Sequence, residues 1–186
     1  MNSGTLTGLT KTPVIVNLGD GNIALGNFSA AGRIGSVGDI DDAIALGRYA
    51  FANATGAIAI GGNLVAARAP RSTGLQSITL GPGSSSGSRA IGIGDSTTSS
   101  GTQSIAFGSF AQATTNAQTI AIGSGISTTS APNATGQGAI AVGASNATGV
   151  NGARATATSS IAIGSGDGTA AGASAAGTES IVLGKG

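Results

Sequence analysis

Large aliphatic residues recur along this chain in pairs, each pair split by one small residue and closed by glycine. The unit reads small residue, Ile, usually Ala, an aliphatic or Phe, then Gly, and it occurs ten times. The copies are Asn22-Ile23-Ala24-Leu25-Gly26, Ala43-Ile44-Ala45-Leu46-Gly47, Ala57-Ile58-Ala59-Ile60-Gly61, Ser77-Ile78-Thr79-Leu80-Gly81 and Ala90-Ile91-Gly92-Ile93-Gly94. They continue as Ser104-Ile105-Ala106-Phe107-Gly108, Thr119-Ile120-Ala121-Ile122-Gly123, Ala139-Ile140-Ala141-Val142-Gly143, Ser160-Ile161-Ala162-Ile163-Gly164 and Ser180-Ile181-Val182-Leu183-Gly184. Val16-Asn17-Leu18-Gly19 reads as an eleventh, degenerate copy. Large residues at i and i+2 share one face of a β-strand, and the small residues take the other. The closing glycine permits a tight turn at positive φ.

Successive repeat isoleucines are 21, 14, 20, 13, 14, 15, 20, 21 and 20 residues apart. The base period is therefore about 14 residues, and the longer gaps carry inserted loops. A weaker strand with alternating alanines precedes each unit, best seen in Ala50-Phe51-Ala52, Ala111-Gln112-Ala113 and Ala153-Arg154-Ala155. Two short strands per coil predict an all-β, parallel β-roll or solenoid, its coils stacked ~4.8 Å apart into a rod roughly 50 Å long. Several insertions align just after the repeat glycine, as in 144–149 and 165–169, which predicts a row of loops at one corner.

This pattern suggests an interior in which large side chains on one strand meet small ones on the other. The expected roll core is Ile23, Leu25, Ile44, Leu46, Ile58, Ile60, Ile78, Leu80, Ile91, Ile93, Ile105, Phe107, Ile120, Ile122, Ile140, Val142, Ile161, Ile163, Ile181 and Leu183. Ala24, Ala45, Ala59, Ala106, Ala121, Ala141 and Ala162 are then expected to face outward as a flat, uncharged strip that packs against neighbouring chains.

Composition narrows the picture further. Of 186 residues, 34 are Gly, 8% are charged and 3% aromatic, so one thick globular core is out of reach. A mean hydropathy of +0.28 and a net charge of +1 separate the chain from disordered sequences. The scattered arginines (Arg33, Arg48, Arg68, Arg71, Arg89, Arg154) form no basic run, which argues against a nucleic-acid partner. There is no cysteine to form a disulfide. No stretch has the apolar length of a membrane-spanning helix, and Met1 to Leu18 do not read as a signal peptide.

Candidate chemistry is sparse. Without histidine or cysteine there is no Ser-His-Asp or Cys-His catalysis and no His or Cys zinc site, so no enzyme activity and no cofactor are expected. Asp39, Asp41 and Asp42 cluster before Ala43 and read as a solvated loop, with a weak cation site as the sharper alternative. Asp167 and Asp20 sit in Gly-Asp-Gly contexts but lack the nine-residue recurrence of calcium-binding repeats. The sequons at Asn27, Asn53, Asn133 and Asn146 read as unmodified turn residues. Phe28, Tyr49 and Phe110 each follow a repeat glycine by two residues, either as plugs over the turn or as ligand anchors.

Repeated Ser-Ile-Ala-Ile-Gly units at a spacing near 14 resemble the YadA-like head of trimeric autotransporter adhesins, over residues 16 to 186. The resemblance implies a left-handed parallel β-roll that assembles as a homotrimer on the bacterial outer membrane. It also implies a coiled-coil stalk and a membrane anchor outside residues 1–186, which make up a single head domain. The implied function is attachment to a host extracellular matrix protein or cell-surface receptor. The family's head repeat, Asn-Ser-Val-Ala-Ile-Gly-x-x-Ser, is linked to collagen binding. Asn22 to Ser29 match it in Ala24, Gly26 and Ser29 but lack the Asn-Ser pair. Two alternatives stand beside adhesion: a structural spacer that presents another binding module, and an ice-binding solenoid, for which the threonines are irregular.

Overall fold

A glycine ends each repeat, and in the structure it ends each strand. The computed structural model describes residues 16–17, 20–32 and 40–185. The ten units form the three-residue strands Ile23–Leu25, Ile44–Leu46, Ile58–Ile60, Ile78–Leu80, Ile91–Ile93, Ile105–Phe107, Ile120–Ile122, Ile140–Val142, Ile161–Ile163 and Ile181–Leu183. Alternating with them are the two-residue strands Val16–Asn17, Ala30–Ala31, Phe51–Ala52, Arg71–Ser72, Ser85–Ser86, Thr98–Ser99, Gln112–Ala113, Asn133–Ala134, Arg154–Ala155 and Ser174–Ala175. Each set stacks in sequence order into its own ten-stranded parallel sheet, giving an all-β two-sheet β-roll. Register never slips: Ile91 lies over Ile105, Ile105 over Ile120 and Ile120 over Ile140. At ~4.8 Å per coil the ten strands of a sheet span roughly 45 Å. Val16–Asn17 pairs with Ala30–Ala31 in the short-strand sheet, so it is not a further copy of the Ile unit; Leu18 and Gly19 lie outside the described residues.

Two corners close each coil. At the first, the repeat glycine carbonyl accepts the amide three residues on, as in Ala50 N to Gly47 O (3.2 Å) and Ala111 N to Gly108 O (3.2 Å). Gly26 shows why the position is glycine: its φ is +140°, and an added Cβ would lie 2.5 Å from the carbonyl oxygen of Gly47 in the next coil. At the second corner, Ala57 N donates to Ala54 O (3.0 Å) and Ser77 N to Gly74 O (3.2 Å). The third residue of these turns is left-handed whatever its type: Asp42, Gln76, Arg89, Gln103 and Glu179 have φ between 51° and 58°.

The interior inverts the expected packing. Ala45, Ala59, Ala106, Ala121, Ala141 and Ala162 have no exposed surface, and Ala24, in the first coil, is half-buried. These alanines line the inside of the roll and are not on an outer face. The residues expected as core point outward instead. Ile23, Leu25, Ile60, Ile105, Phe107, Ile122, Ile163, Ile181 and Leu183 are exposed, and Ile44, Leu46, Ile58, Ile78, Leu80, Ile91, Ile93, Ile120, Ile140, Val142 and Ile161 are intermediate. The reason is width. Two strands joined by four-residue turns stand too close for a large side chain between them. At Gly92, even a single added carbon would come within 2.8 Å of Ser86 Oγ and 3.2 Å of Ser85 O on the facing strand. Small side chains therefore fill the interior from both walls. The alternating alanines of the second strand point inward as expected: Ala50, Ala52, Ala111, Ala113, Ala153 and Ala155 are all fully buried.

Along the rod, two alanine-lined segments flank a serine-rich middle. Its hydroxyls are satisfied locally. Ser77 Oγ donates to Gly74 O and Ser104 Oγ to Gly101 O, each at 2.6 Å, while Ser72 and Ser77 share a hydrogen bond of 2.6 Å and Ser99 and Ser104 one of 2.8 Å. The leading serine of a unit thus caps the second corner from inside. Thr119 takes the same position but follows the gap with one extra residue, where Thr115 is left-handed and Asn116 N turns back to Thr114 O. Its buried Oγ1 has no hydrogen-bond partner. Thr119→Val keeps the shape and removes the unpaired hydroxyl, so it should stabilise the chain by about 1 kcal/mol, read as a rise of roughly 2–4 °C in the melting temperature.

Candidate binding surface

Since the interior takes only small residues, everything bulky is displayed on the four sides of the rod. The outer face of the Ile sheet carries two columns of large apolar side chains. One is isoleucine in every coil, from Ile23 to Ile181, and the other runs from Leu25 to Leu183 through Leu46, Ile60, Leu80, Ile93, Phe107, Ile122, Val142 and Ile163. No charged residue interrupts either column. Exposure reaches 51% at Ile23, 52% at Phe107 and 69% at Leu183. A contiguous apolar strip of this length marks an interaction surface.

The outer face of the short-strand sheet is different. Its outward positions are Ala30, Phe51, Arg71, Ser85, Thr98, Gln112, Asn133, Arg154 and Ser174. Neighbours pair across coils: the Arg71 guanidinium lies 4.7 Å above the Phe51 ring, and Asn133 Nδ2 donates to Gln112 Oε1 at 2.9 Å. Arg154 Nη1 donates to Asn151 Oδ1 at 3.3 Å.

Four of the five long insertions leave from the first corner, as the sequence alignment predicts for several; the one before Ile44 falls instead between Ala30–Ala31 and Ile44–Leu46, at the second corner. The four occupy 61–70, 123–132, 143–153 and 164–173, between an Ile strand and the short strand that follows. The one before Ile78, which aligned poorly by sequence, holds a 3₁₀ turn, Ala66–Arg68, and exposes Leu64 and Val65. The one before Ile140 exposes Ile126. Between the later loops and the edge of the Ile sheet runs an open groove of about 520 Å³, lined by residues such as Ile122, Ser124, Val142, Asn146 and Ser165. In the last insertion, Asp167 accepts the Ala170 amide (3.0 Å) and the Thr169 amide (3.3 Å) and pairs with Lys185. The Lys185 ammonium and these two amides hold the Asp167 carboxyl well below the usual carboxylate range. These contacts account for Asp167 as a loop brace.

The aromatic residues after the repeat glycines occupy the left-handed position of the first-corner turn. Phe28, Tyr49 and Phe110 have φ of 58°, 59° and 59°, where another coil uses Gly83 after Pro82. A bulky residue there is a conformational outlier costing on the order of 1 kcal/mol or more. The Phe28 and Tyr49 rings stack at 4.9 Å with 7° between their planes, and the Arg48 guanidinium lies 5.3 Å from the centre of the Tyr49 ring. They lie at the corner turn, outside the roll interior; Phe28 is 37% exposed, and Tyr49 and Phe110 are partly buried.

Of the acidic cluster, Asp39 lies outside the described residues. Asp41 Oδ1 accepts the Asp20 amide (2.9 Å), and Asp42 takes the left-handed place at the second corner. Among the described residues, no three His, Cys, Asp or Glu side chains converge as metal ligands, and no helix is long and apolar enough to cross a membrane. Asn27 and Asn53 adjoin corners and Asn146 lies in a loop, whereas Asn133 sits in a strand. Sequence reading missed the Arg71–Phe51 pair because its partners lie 20 residues apart. The period itself signals the pair, since it places Arg71 directly over Phe51.

Stacked coils with in-register parallel strands and a small-residue interior define a two-sheet β-roll. The YadA head domain repeat, in its two-copy form, matches residues 41–63, 85–111 and 99–125, so these coils are similar to the YadA-like head of trimeric autotransporter adhesins. The same coil continues on both sides of the matched residues. No curated protein matches the chain.

Proposed function

We propose that this chain is the head of a bacterial surface adhesin, displayed at the outer membrane as a homotrimer, which attaches the cell to host extracellular matrix or host cells. Residues 1–186 act as one head domain, and attachment involves no catalysis. The observation that carries this reading is the division of labour between the sides of the rod. The Ile sheet offers one continuous apolar face, and polar, basic and loop residues crowd the first corner and the outer face of the short strands. YadA-family adhesins are homotrimeric and bind host factors. Two further copies of this chain suit the apolar face, because the ~4.8 Å period of its columns repeats identically in a parallel neighbour. The loops and the short-strand face then stay open for a host ligand.

The test is attachment of the purified chain to surfaces coated with matrix proteins, beside its mass in solution. A trimer that holds to at least one matrix component supports adhesion. A trimer that holds to none, on matrix or on intact host cells, is a spacer instead.

A further inference from the structure

Charge is sorted across the first coils of the rod. Asp20, Asp41 and Asp42 sit at the second corner, where Asp42 N donates to Asp20 O. Arg48, Arg68 and Arg71 sit at or beside the first. Arg48 and Arg68 belong to one column of corner residues: Tyr49 N donates to Asn27 O, Asn63 N to Arg48 O, and Gly83 N to Arg68 O. Arg71 is three residues on from Arg68, on the outer face of the adjoining strand. Among the described residues, none of these three arginines makes an ion pair. The next carboxylate in the corner column, Asp95, comes two coils further on, roughly 10 Å away.

Aromatic rings are interleaved with these cations. Arg48 lies against Tyr49, Tyr49 stacks on Phe28, and Arg71 lies over Phe51. Phe28 and Tyr49 hold left-handed backbone positions that glycine would fill without strain. Their rings pack on each other across coils and stand outside the roll interior. Rings beside guanidinium groups without an ion pair suit a ligand with both an anionic group and an apolar face.

We infer that this corner, formed by Phe28, Arg48, Tyr49, Phe51, Arg68 and Arg71, binds an anionic polysaccharide bearing sulfate or carboxylate groups. Guanidinium groups take such anions through two parallel hydrogen bonds, and the C–H face of a sugar ring lies flat on an aromatic ring. The inference rests on the adhesin reading and gives its ligand a chemical class.

The probe is immobilised heparin, with neutral dextran and a single-stranded oligonucleotide beside it. The wild-type chain should bind heparin and ignore dextran. Arg48→Gln with Arg71→Gln should weaken heparin binding by about tenfold or more at physiological salt. Arg89→Gln with Arg154→Gln removes equal charge elsewhere on the rod and should change it by less than about twofold. Arg68→Gln alone, in an exposed turn that no strand depends on, should also weaken binding. Equal losses in both double variants, equal binding of the oligonucleotide, or no binding of heparin by the wild type overturns the inference. Retention on matrix proteins stripped of their glycans, with heparin ignored, leaves adhesion standing and removes only this site. Failure on every surface removes adhesion as well.

Discussion

Replacing Ala121 with leucine should prevent the chain from folding. Ala121 has no exposed surface and shares one cluster with Ala106, Ala113, Ala134 and Ala141. Leucine would add three heavy atoms to an interior that, at the matching position of another coil, cannot accept one: a Cβ on Gly92 meets Ser86 Oγ at 2.8 Å. Overpacking an ordinary core costs about 1–3 kcal/mol because neighbours shift. Here both walls are hydrogen-bonded backbone, tied in register to the coils on either side, as in Ile105 N to Thr119 O (2.8 Å) and Ile120 N to Ala139 O (2.9 Å). Neither wall moves without breaking its ladder, so the loss should exceed roughly 4 kcal/mol and leave no cooperative melting transition. Ala121→Thr is the control. Thr79 already occupies this position in its own coil, fully buried, with its hydroxyl on Arg71 O at 3.3 Å. That variant should stay folded. A leucine variant that melts like the parent would show that the interior is wider than the structure has it.

The same interior explains what was legible in the sequence. Spacing alone located every Ile strand, the in-register stacking of Ile on Ile, and the corner from which several of the loops leave. These follow from period, and period survives in the sequence. The direction of the strand faces does not. Alternation says that Ile105 and Phe107 share a face and Ala106 takes the other, but either face satisfies the pattern. Burying the large residues is the ordinary choice, and here it fails because the two sheets are too close. A volume limit was nonetheless written along the chain. The middle position of the unit is Ala, Thr or Gly in every coil before Val182 in the last, and Val182 is only partly buried. The second strand turns Ala or Ser inward as well, at Ala52, Ser72, Ser86, Ser99 and Ala113. When every candidate for the facing position is also small, small-on-small is the consistent interior. Of the binding surface, the aromatic residues were visible as a recurrence after glycine. Their stacking and the unpaired arginines were not, because both depend on contacts between coils 20 residues apart.

Charging the Ile face should separate the chains without unfolding them. Ile105 is 36% exposed and Ile140 partly exposed on the outer face of the same sheet, two coils apart. In an isolated chain, Asp at either position keeps its carboxylate in water and displaces nothing from the interior, so a surface-scale effect within about 0.5 kcal/mol is expected. In a trimer joined through this face, the same carboxylates lose water with no cation in either column to pair with. An unpaired charge buried at an interface costs several kcal/mol, and symmetry triples the number of such charges per assembly. Ile105→Asp with Ile140→Asp should therefore sediment as a monomer at concentrations where the parent is a trimer, with an unchanged far-ultraviolet circular dichroism spectrum. Two results would contradict this: a variant that remains trimeric, which would place the contact on another side, and a parent that is itself monomeric, which would show that the apolar columns do not hold the chains together. Loss of the β-sheet signal in the variant would be a different failure. It would mean that these isoleucines support the coil from outside, and the assembly would then have to be tested with Ile105→Ser and Ile140→Ser, which shorten the side chain without adding charge.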